Sequence, residues 1–421
     1  MAEALKKAIE ILLGYWWIIA PIALFFIFRE LWLNYVKTKY LKSLEWILLE
    51  IKIPKESSKT PKAMEQIFIG LHGTESIPKP KEKWLSGKVP TWFSFEITGD
   101  GGFIHFYIRT LKVFRNLVEA QIYAQYPDAE ITEVNDYTDV VPFRLDSEYD
   151  AWGAEFILTK PDPYPIKTYP EFFKDEEEKW IDPLASLGEV FSNLQADEHI
   201  WIQILASPIS NGWKEEGKKL IEKLIGREIK PSKKGVLKEE IFGWSEAFKE
   251  SLNQLISGGG GASSTQEKPS SASSLNLTPG EKEVVLAIER NISKMGYKVI
   301  VRVVYWGKTE VFNKANIAAI VGILKQFNSE NLNGFKPNGK TMPKGKGLFK
   351  KKKEIYKKIK ILREYKERFF PFDEFKSRGF VFNTEELATI FHIPSKVVEA
   401  VGVPRVEAKK GGPPSGLPIN Q

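Results

Sequence analysis

The densest chemistry in this sequence is cationic. Between Lys336 and Arg368 it places twelve lysines together with Arg363 and Arg368 against Glu354, Glu364 and Glu367, about +11 in all. The whole chain of 421 residues carries only +7, so the remainder is slightly acidic and any affinity for a polyanion belongs to this one segment. Clustered ammonium groups displace the counterions condensed on nucleic-acid phosphates. They also attract anionic lipid head groups beside a membrane anchor, and a solvated helix face is the third reading. The contacts expected for DNA or lipid are Lys350, Lys351, Lys352, Lys353, Lys357, Lys358 and Lys360. They fall on a helix expected from Lys350 to Phe369, with Ile355, Ile359, Leu362 and Phe369 on its apolar side. Phe349, Tyr356 and Tyr365 are the few aromatic residues between Lys336 and Arg368, too few to imply readout of a base sequence.

Other chemistry is sparse. Gly334-Phe-Lys-Pro-Asn-Gly339-Lys340-Thr341 matches the phosphate-binding pattern G-x4-G-K-[ST]. That loop works when it follows a buried strand and opens a helix, so that its N–H groups aim at phosphates. Here Asn328–Asn333 upstream is polar and Met342-Pro343 downstream starts a helix badly, so a nucleotide hydrolase using Lys340 is the alternative reading and not the expected one. With no cysteine, disulfides, thiolate metal sites and Cys nucleophiles are excluded. The four histidines stand singly, and His392, after Glu385 and Glu386, has no second histidine or nucleophile at a defined spacing. Asp100, Asp146, Glu148 and Asp150 have nothing in the sequence to pair them. No catalytic residue, cofactor or metal site is expected, and the chain is read as a non-enzyme.

The elements that must carry this segment follow from periodicity. Hydrophobic residues make up 43% of the chain, which excludes wholesale disorder. After a short tail (1–10), residues 11–33 hold Ile11–Phe28, uncharged and almost wholly apolar, with aromatic residues near both ends. That length and belt predict a transmembrane helix. Arg29, Lys37, Lys39 and Lys42 outnumber Lys6 and Lys7, which puts the C-terminal side inside. Residues 34–62 form a juxtamembrane segment, in which Leu31–Ile53 reads as amphipathic, lying on the membrane or packed in the core as helix or strand.

Alternation in Trp92–Thr98 and Phe103–Arg109 around Gly99–Gly102 predicts a hairpin, with Ser94, Glu96 and Thr98 on the face opposite Phe93, Phe95 and Ile97. A helix (Leu111–Tyr126) and a strand from Ala129 complete a β-β-α-β run. Strands near Ala154–Thr159 and His199–Leu205 and helices over Asp182–Leu194 and Trp213–Ile225 continue it. These place a first α+β domain over 63–256. Ser257–Ser274 reads as a Gly/Ser-rich linker or disordered loop. A second α+β domain (275–406) contains the basic helix and ends on a short helix opened by Asn383-x-x-Glu386, a capping-box pattern; 407–421 is a disordered tail. The expected fold is α+β, an N-terminal transmembrane helix followed by ferredoxin-like (split β-α-β) sandwich domains.

Several motifs together carry a resemblance: the anchor, Leu44-Glu-Trp-Ile-Leu-Leu-Glu-Ile-Lys-Ile-Pro54, the Trp92–Val134 run, Asn331-Leu-Asn-Gly-Phe335-Lys-Pro337 and Phe382-Asn-Thr-Glu-Glu-Leu-Ala-Thr-Ile-Phe-His-Ile-Pro394. The chain resembles the non-motor N-terminal region of membrane-anchored type IV secretion and conjugative DNA transfer ATPases of the coupling-protein kind, in bacterial versions where this region is a domain of unknown function. In that family a motor domain follows the Thr-Glu-Glu-Leu-Ala helix, whereas this sequence runs only to Gln421. The resemblance therefore implies a non-enzymatic accessory or platform component, single-pass in the inner membrane with its body in the cytoplasm. Its implied partners are a separate motor ATPase or other secretion subunits, DNA through the basic segment, and further copies of itself. A structural membrane-tethered protein whose basic helix binds anionic lipid is the remaining alternative.

Overall fold

The computed structural model describes residues 14, 16–52, 59–141, 148–172, 182–226, 277–345, 349–371 and 379–394. The two expected tails and the Gly/Ser-rich segment lie outside them. In chain order the main elements are α1 (Trp16–Ser43), β1 (Trp46–Lys52), α2 (Pro61–His72), β2 (Phe93–Asp100), β3 (Phe103–Leu111), α3 (Arg115–Gln125), β4 (Glu130–Val134), β5 (Tyr149–Leu158) and α4 (Ala185–Ser192). They continue as β6 (Glu198–Ile209), α5 (Lys214–Leu224), α6 (Pro279–Ser293), β7 (Gly296–Lys308), α7 (Lys314–Lys325), β8 (Phe335–Pro337), α8 (Lys350–Lys366), β9 (Phe380–Asn383) and α9 (Thr384–Ile390).

The fold is α+β, and the described residues build one nine-stranded sheet in the order β4-β1-β3-β2-β6-β7-β5-β8, with β9 also on β7. Every pairing is antiparallel. This corrects the expectation of two sandwich domains. Strand β7, from beyond the linker, lies between β6 and β5, so both halves share one sheet and one core. Trp46–Lys52 is a core strand between β3 and β4, which decides the open reading of the juxtamembrane segment. The capping box is present: the Asn383 side chain accepts from the Glu386 N–H, and the Glu386 carboxylate accepts from the Asn383 N–H.

One face of the sheet is apolar. Phe93, Phe95 and Ile97 of β2, Ile200, Ile202 and Ile204 of β6, and Val299, Val301 and Val303 of β7 pack there under α2, α3, α4, α7 and α9. Burying such side chains is the main driving force for folding, at roughly 1.5–3 kcal/mol each.

The opposite face carries charge. Glu50, Tyr107, Glu96, Gln203, Arg302 and Glu155 stand in consecutive register on β1, β3, β2, β6, β7 and β5. Arg302 is fully buried and donates to Glu155 at 2.9 Å, to Gln203 Oε1 at 2.7 Å and to the Glu364 carbonyl at 2.9 Å. Glu96 is fully buried too, and Arg368 grips it through two bonds of 2.9 and 3.0 Å. The same guanidinium reaches Asp136, while Tyr137 donates to Glu96 at 2.6 Å. Burial pushes the Glu96 and Asp136 carboxyls up, but the charge and hydrogen bonds of Arg368 outweigh it and hold both below the ordinary range.

Arg368 closes α8 in an unusual way. Its N–H bonds the Tyr365 carbonyl and the Phe369 N–H bonds the Glu364 carbonyl, both at 3.0 Å, the pattern that ends a helix on a left-handed residue. Glycine normally fills that position, yet Arg368 occupies it at φ 45°. The guanidinium is needed there more than a relaxed backbone.

The expected transmembrane helix over 11–33 is not found in the described structure. Among the described residues no helix is long and apolar enough to cross a membrane. From Trp16 to the first charges, Arg29 and Glu30, α1 rises only about 20 Å, short of a hydrocarbon core of about 30 Å. Residues 11–13 and 15 lie outside the described structure. Leu24, Phe25, Phe26, Ile27, Phe28 and Leu31 of α1 are all more than half exposed. Further along, Val36 packs on Gly87, and the Trp32 indole donates to the Trp84 carbonyl at 2.9 Å. Tyr40 and Leu41 pack beside Trp92.

Removing Glu96 leaves a buried guanidinium with fewer partners. Glu96→Ala is expected to cost about 3–5 kcal/mol in urea denaturation, and Arg368→Gly to destabilise as well although it relaxes the backbone. Because the Glu96 and Asp136 pKa values are depressed, their stabilisation is present above the unfolded value near about 4 and lost as pH falls through the folded values. Urea midpoints measured down through that acidic range should fall for the natural chain and flatten in Arg368→Gly.

Candidate functional site

The basic helix α8 is only half seated. Ile361, Leu362 and Tyr365 are buried with Trp201, Val304 and Trp306 on the charged face of the sheet. Ile361 lies over Gly153, where an added Cβ would come within 2.9 Å of its Cγ2. The expected apolar side is therefore shifted: Leu362 is buried, while Ile355 is 43% exposed and Phe369 lies past the helix end at 41%. The buried positions of α8, Ile361, Leu362, Glu364 and Tyr365, all fall in its C-terminal half.

That half is poorly built for stability. The first turn is Lys350–Lys353, with no acidic residue and no side-chain cap from Phe349. Cations at a helix N-terminus oppose the helix dipole by roughly 0.3–1 kcal/mol each. The i,i+4 pairs Glu354–Lys358, at 3.6 Å, and Lys360–Glu364, at 3.9 Å, recover a little. An anion at this end would offset the dipole and the lysine repulsion together.

The segment Asn338–Lys344, just after β8, faces the overhanging half. Asn338 organises it: its carbonyl accepts the N–H groups of Thr341 and Met342, each at 3.0 Å, and its Oδ1 accepts that of Lys340 at 3.0 Å. Thr341 Oγ1 accepts the Glu155 N–H at 3.1 Å, and Asn338 N–H donates to the Glu155 carbonyl at 2.8 Å, which ties the turn to β5. Lys357 closes the far side, donating to the Met342 and Lys344 carbonyls at 3.1 and 3.3 Å.

Between these walls lies a cleft of about 1100 Å³. Lys340, Lys344, Lys353, Lys357 and Lys360 line it, with Tyr356 between the helix lysines, and Glu155 and Glu364 as its carboxylates. Glu155 is already paired with Arg302, so the lining is strongly positive. The arrangement suits a ligand carrying several negative charges.

The structure sorts the expected contacts. Lys353, Lys357 and Lys360 line the cleft, whereas Lys350, Lys351 and Lys352, exposed like Lys353, do not. Lys358 turns away and pairs with Asp150 at 2.5 Å. Lys340 and Lys344 were outside the expected contact set, although the charge run around Lys336–Arg368 includes them. The P-loop arrangement is not present at Gly334–Thr341: the N–H groups that would cradle a phosphate are held by Asn338, and no helix starts there.

The remaining candidates resolve into local pairs. His392, fully buried, bridges Asp182 and the Ala388 carbonyl at 2.9 Å each, a core role. His199 and the Trp201 indole share Asp100, at 2.6 and 2.8 Å. Asp146 lies outside the described residues. Among those described, no cluster of three or more His, Asp or Glu is placed to hold a metal ion.

Against known families, the model described as Domain of unknown function (DUF8128) matches residues 36–404, and the chain belongs to that family. No curated protein matches it.

If the Ile361–Gly153 contact sets the cleft wall, Gly153→Val must lift α8. The expected cost is about 1–3 kcal/mol in urea denaturation, with hydrogen exchange rising along Lys350–Lys366 more than in β2 or β6.

Proposed function

We propose that this chain is a non-enzymatic, membrane-anchored accessory component of a DNA transfer or secretion machine that works with a separate motor ATPase, and that the lysine cleft holds nucleic acid. The observation that carries the reading is the convergence of Lys340 and Lys344 with Lys353, Lys357 and Lys360 on one cleft. A merely solvated lysine run would stay on one helix face; here lysines of two separate segments line one cleft. Membrane attachment rests on the apolar sequence Ile11–Phe28 and on the exposure of Leu24, Phe25, Phe26, Ile27 and Phe28 along α1. The resemblance to the coupling-protein region supports the machine assignment.

Nucleic-acid binding should be salt-dependent, with log affinity falling against log salt by about 0.7–0.9 per phosphate neutralised. The combined variant Lys340→Ala, Lys344→Ala and Lys353→Ala is expected to lower that slope by about two in fluorescence anisotropy. No binding at about 50 mM salt sinks the nucleic-acid reading, and binding to anionic vesicles alone transfers the site to lipid.

For the anchor, the full chain is expected to sediment with membranes after alkaline carbonate washing. Phe25→Lys with Phe28→Lys, each costing about 2.5–3.5 kcal/mol of insertion, should move it to the supernatant. A natural chain found wholly in the supernatant sinks the anchor.

A further inference from the structure

We infer that the strand held in the lysine cleft is single-stranded, with an unpaired base stacked on Tyr356; this rests on the nucleic-acid reading above. Tyr356 lines the cleft and is 65% exposed. It sits one helical turn from Lys353 on one side and from Lys360 on the other, so its ring is flanked by ammonium groups along the same helix face. Tyr365, by contrast, is 1% exposed and bonded to Tyr137 at 2.8 Å, which removes it from ligand contact.

A large aromatic ring left in water among cations does nothing for the core. It does match the alternation a single strand presents, phosphate then base. In a duplex the base faces are covered by their neighbours, and a side chain on a helix wall cannot reach them. An unpaired base has a free π-face, and stacking it on an aromatic ring tolerates any base, in keeping with the absence of a base-reading constellation. At about 1100 Å³ the cleft has room for a short stretch of one strand beside Tyr356.

The test compares four probes on the full chain by fluorescence anisotropy: oligodeoxythymidine, an abasic strand of the same length, a blunt duplex, and vesicles containing phosphatidylserine. Oligodeoxythymidine should bind more tightly than the abasic strand or the duplex. Tyr356→Ala should weaken it by about fivefold to a hundredfold while leaving its salt slope and its affinity for the abasic strand unchanged, and Tyr356→Trp should restore it. Because Tyr356 is exposed, an unchanged urea midpoint is expected for both variants.

Equal binding of oligodeoxythymidine by Tyr356→Ala and the natural chain overturns the stacking and leaves the lysine cleft standing, as does a preference for duplex. If the Lys340, Lys344 and Lys353 alanine variant also binds every probe like the natural chain, the cleft itself is not the site and both readings fall.

Discussion

The ion pair between Arg368 and Glu96 holds the charged side of this protein together. Both groups are removed from water, and an isolated charge in that position would cost several kcal/mol. It is tolerated because the partners are complete: Asp136, Tyr137, Ser94 and Gln203 surround the pair, and Gln203 hands the network on to Arg302 and Glu155. The chain of contacts runs across β2, β6, β7 and β5, so it joins the strands from before and after the linker. Its other end is the C-terminus of the basic helix, which Arg368 closes in a left-handed conformation that glycine would adopt at less cost.

This arrangement explains how a helix so rich in lysine stays on the protein. Its C-terminal half is fixed by the ion pair, by Tyr365 and by Ile361 over Gly153. The N-terminal half is then free to sacrifice stability, stacking four lysines against its own dipole. The turn after β8 meets it with two more lysines, held in place by Asn338, Thr341 and the backbone of Glu155. Glu155 thus serves twice: its side chain neutralises Arg302 beneath the cleft, and its backbone holds the cleft's opposite wall.

Much of this was legible in the sequence. The hairpin at Gly99–Gly102, the helix that follows it, the capping box at Asn383 and the basic helix follow from local periodicity and turn chemistry, and each is present. Strands β8 and β9 went unseen because three and four residues are too few to show a period. The alternation Ser94, Glu96, Thr98 was visible too, but a polar face suggests solvent, and its burial depends on residues far away. The nearest available signal was that Glu96 and Arg302 lie within strongly β-forming runs with Gln203 on a third.

By itself the sequence determined where charge accumulates, where the longer periodic helices and strands lie, and that thiolate chemistry is excluded. These are properties of neighbours along the chain, set by side-chain type and spacing. Only the tertiary structure decided that the two halves form one sheet, that Lys358 pairs with Asp150 while Lys353, Lys357 and Lys360 line one cleft with Lys340 and Lys344, and that the phosphate-loop pattern has N–H groups already occupied. The shared sheet and the Asp150 pairing depend on register between strands far apart in the chain, as where Glu155 stands opposite Arg302. A one-residue slip would send every side chain of a strand to the other face, and a local pattern carries no record of that choice.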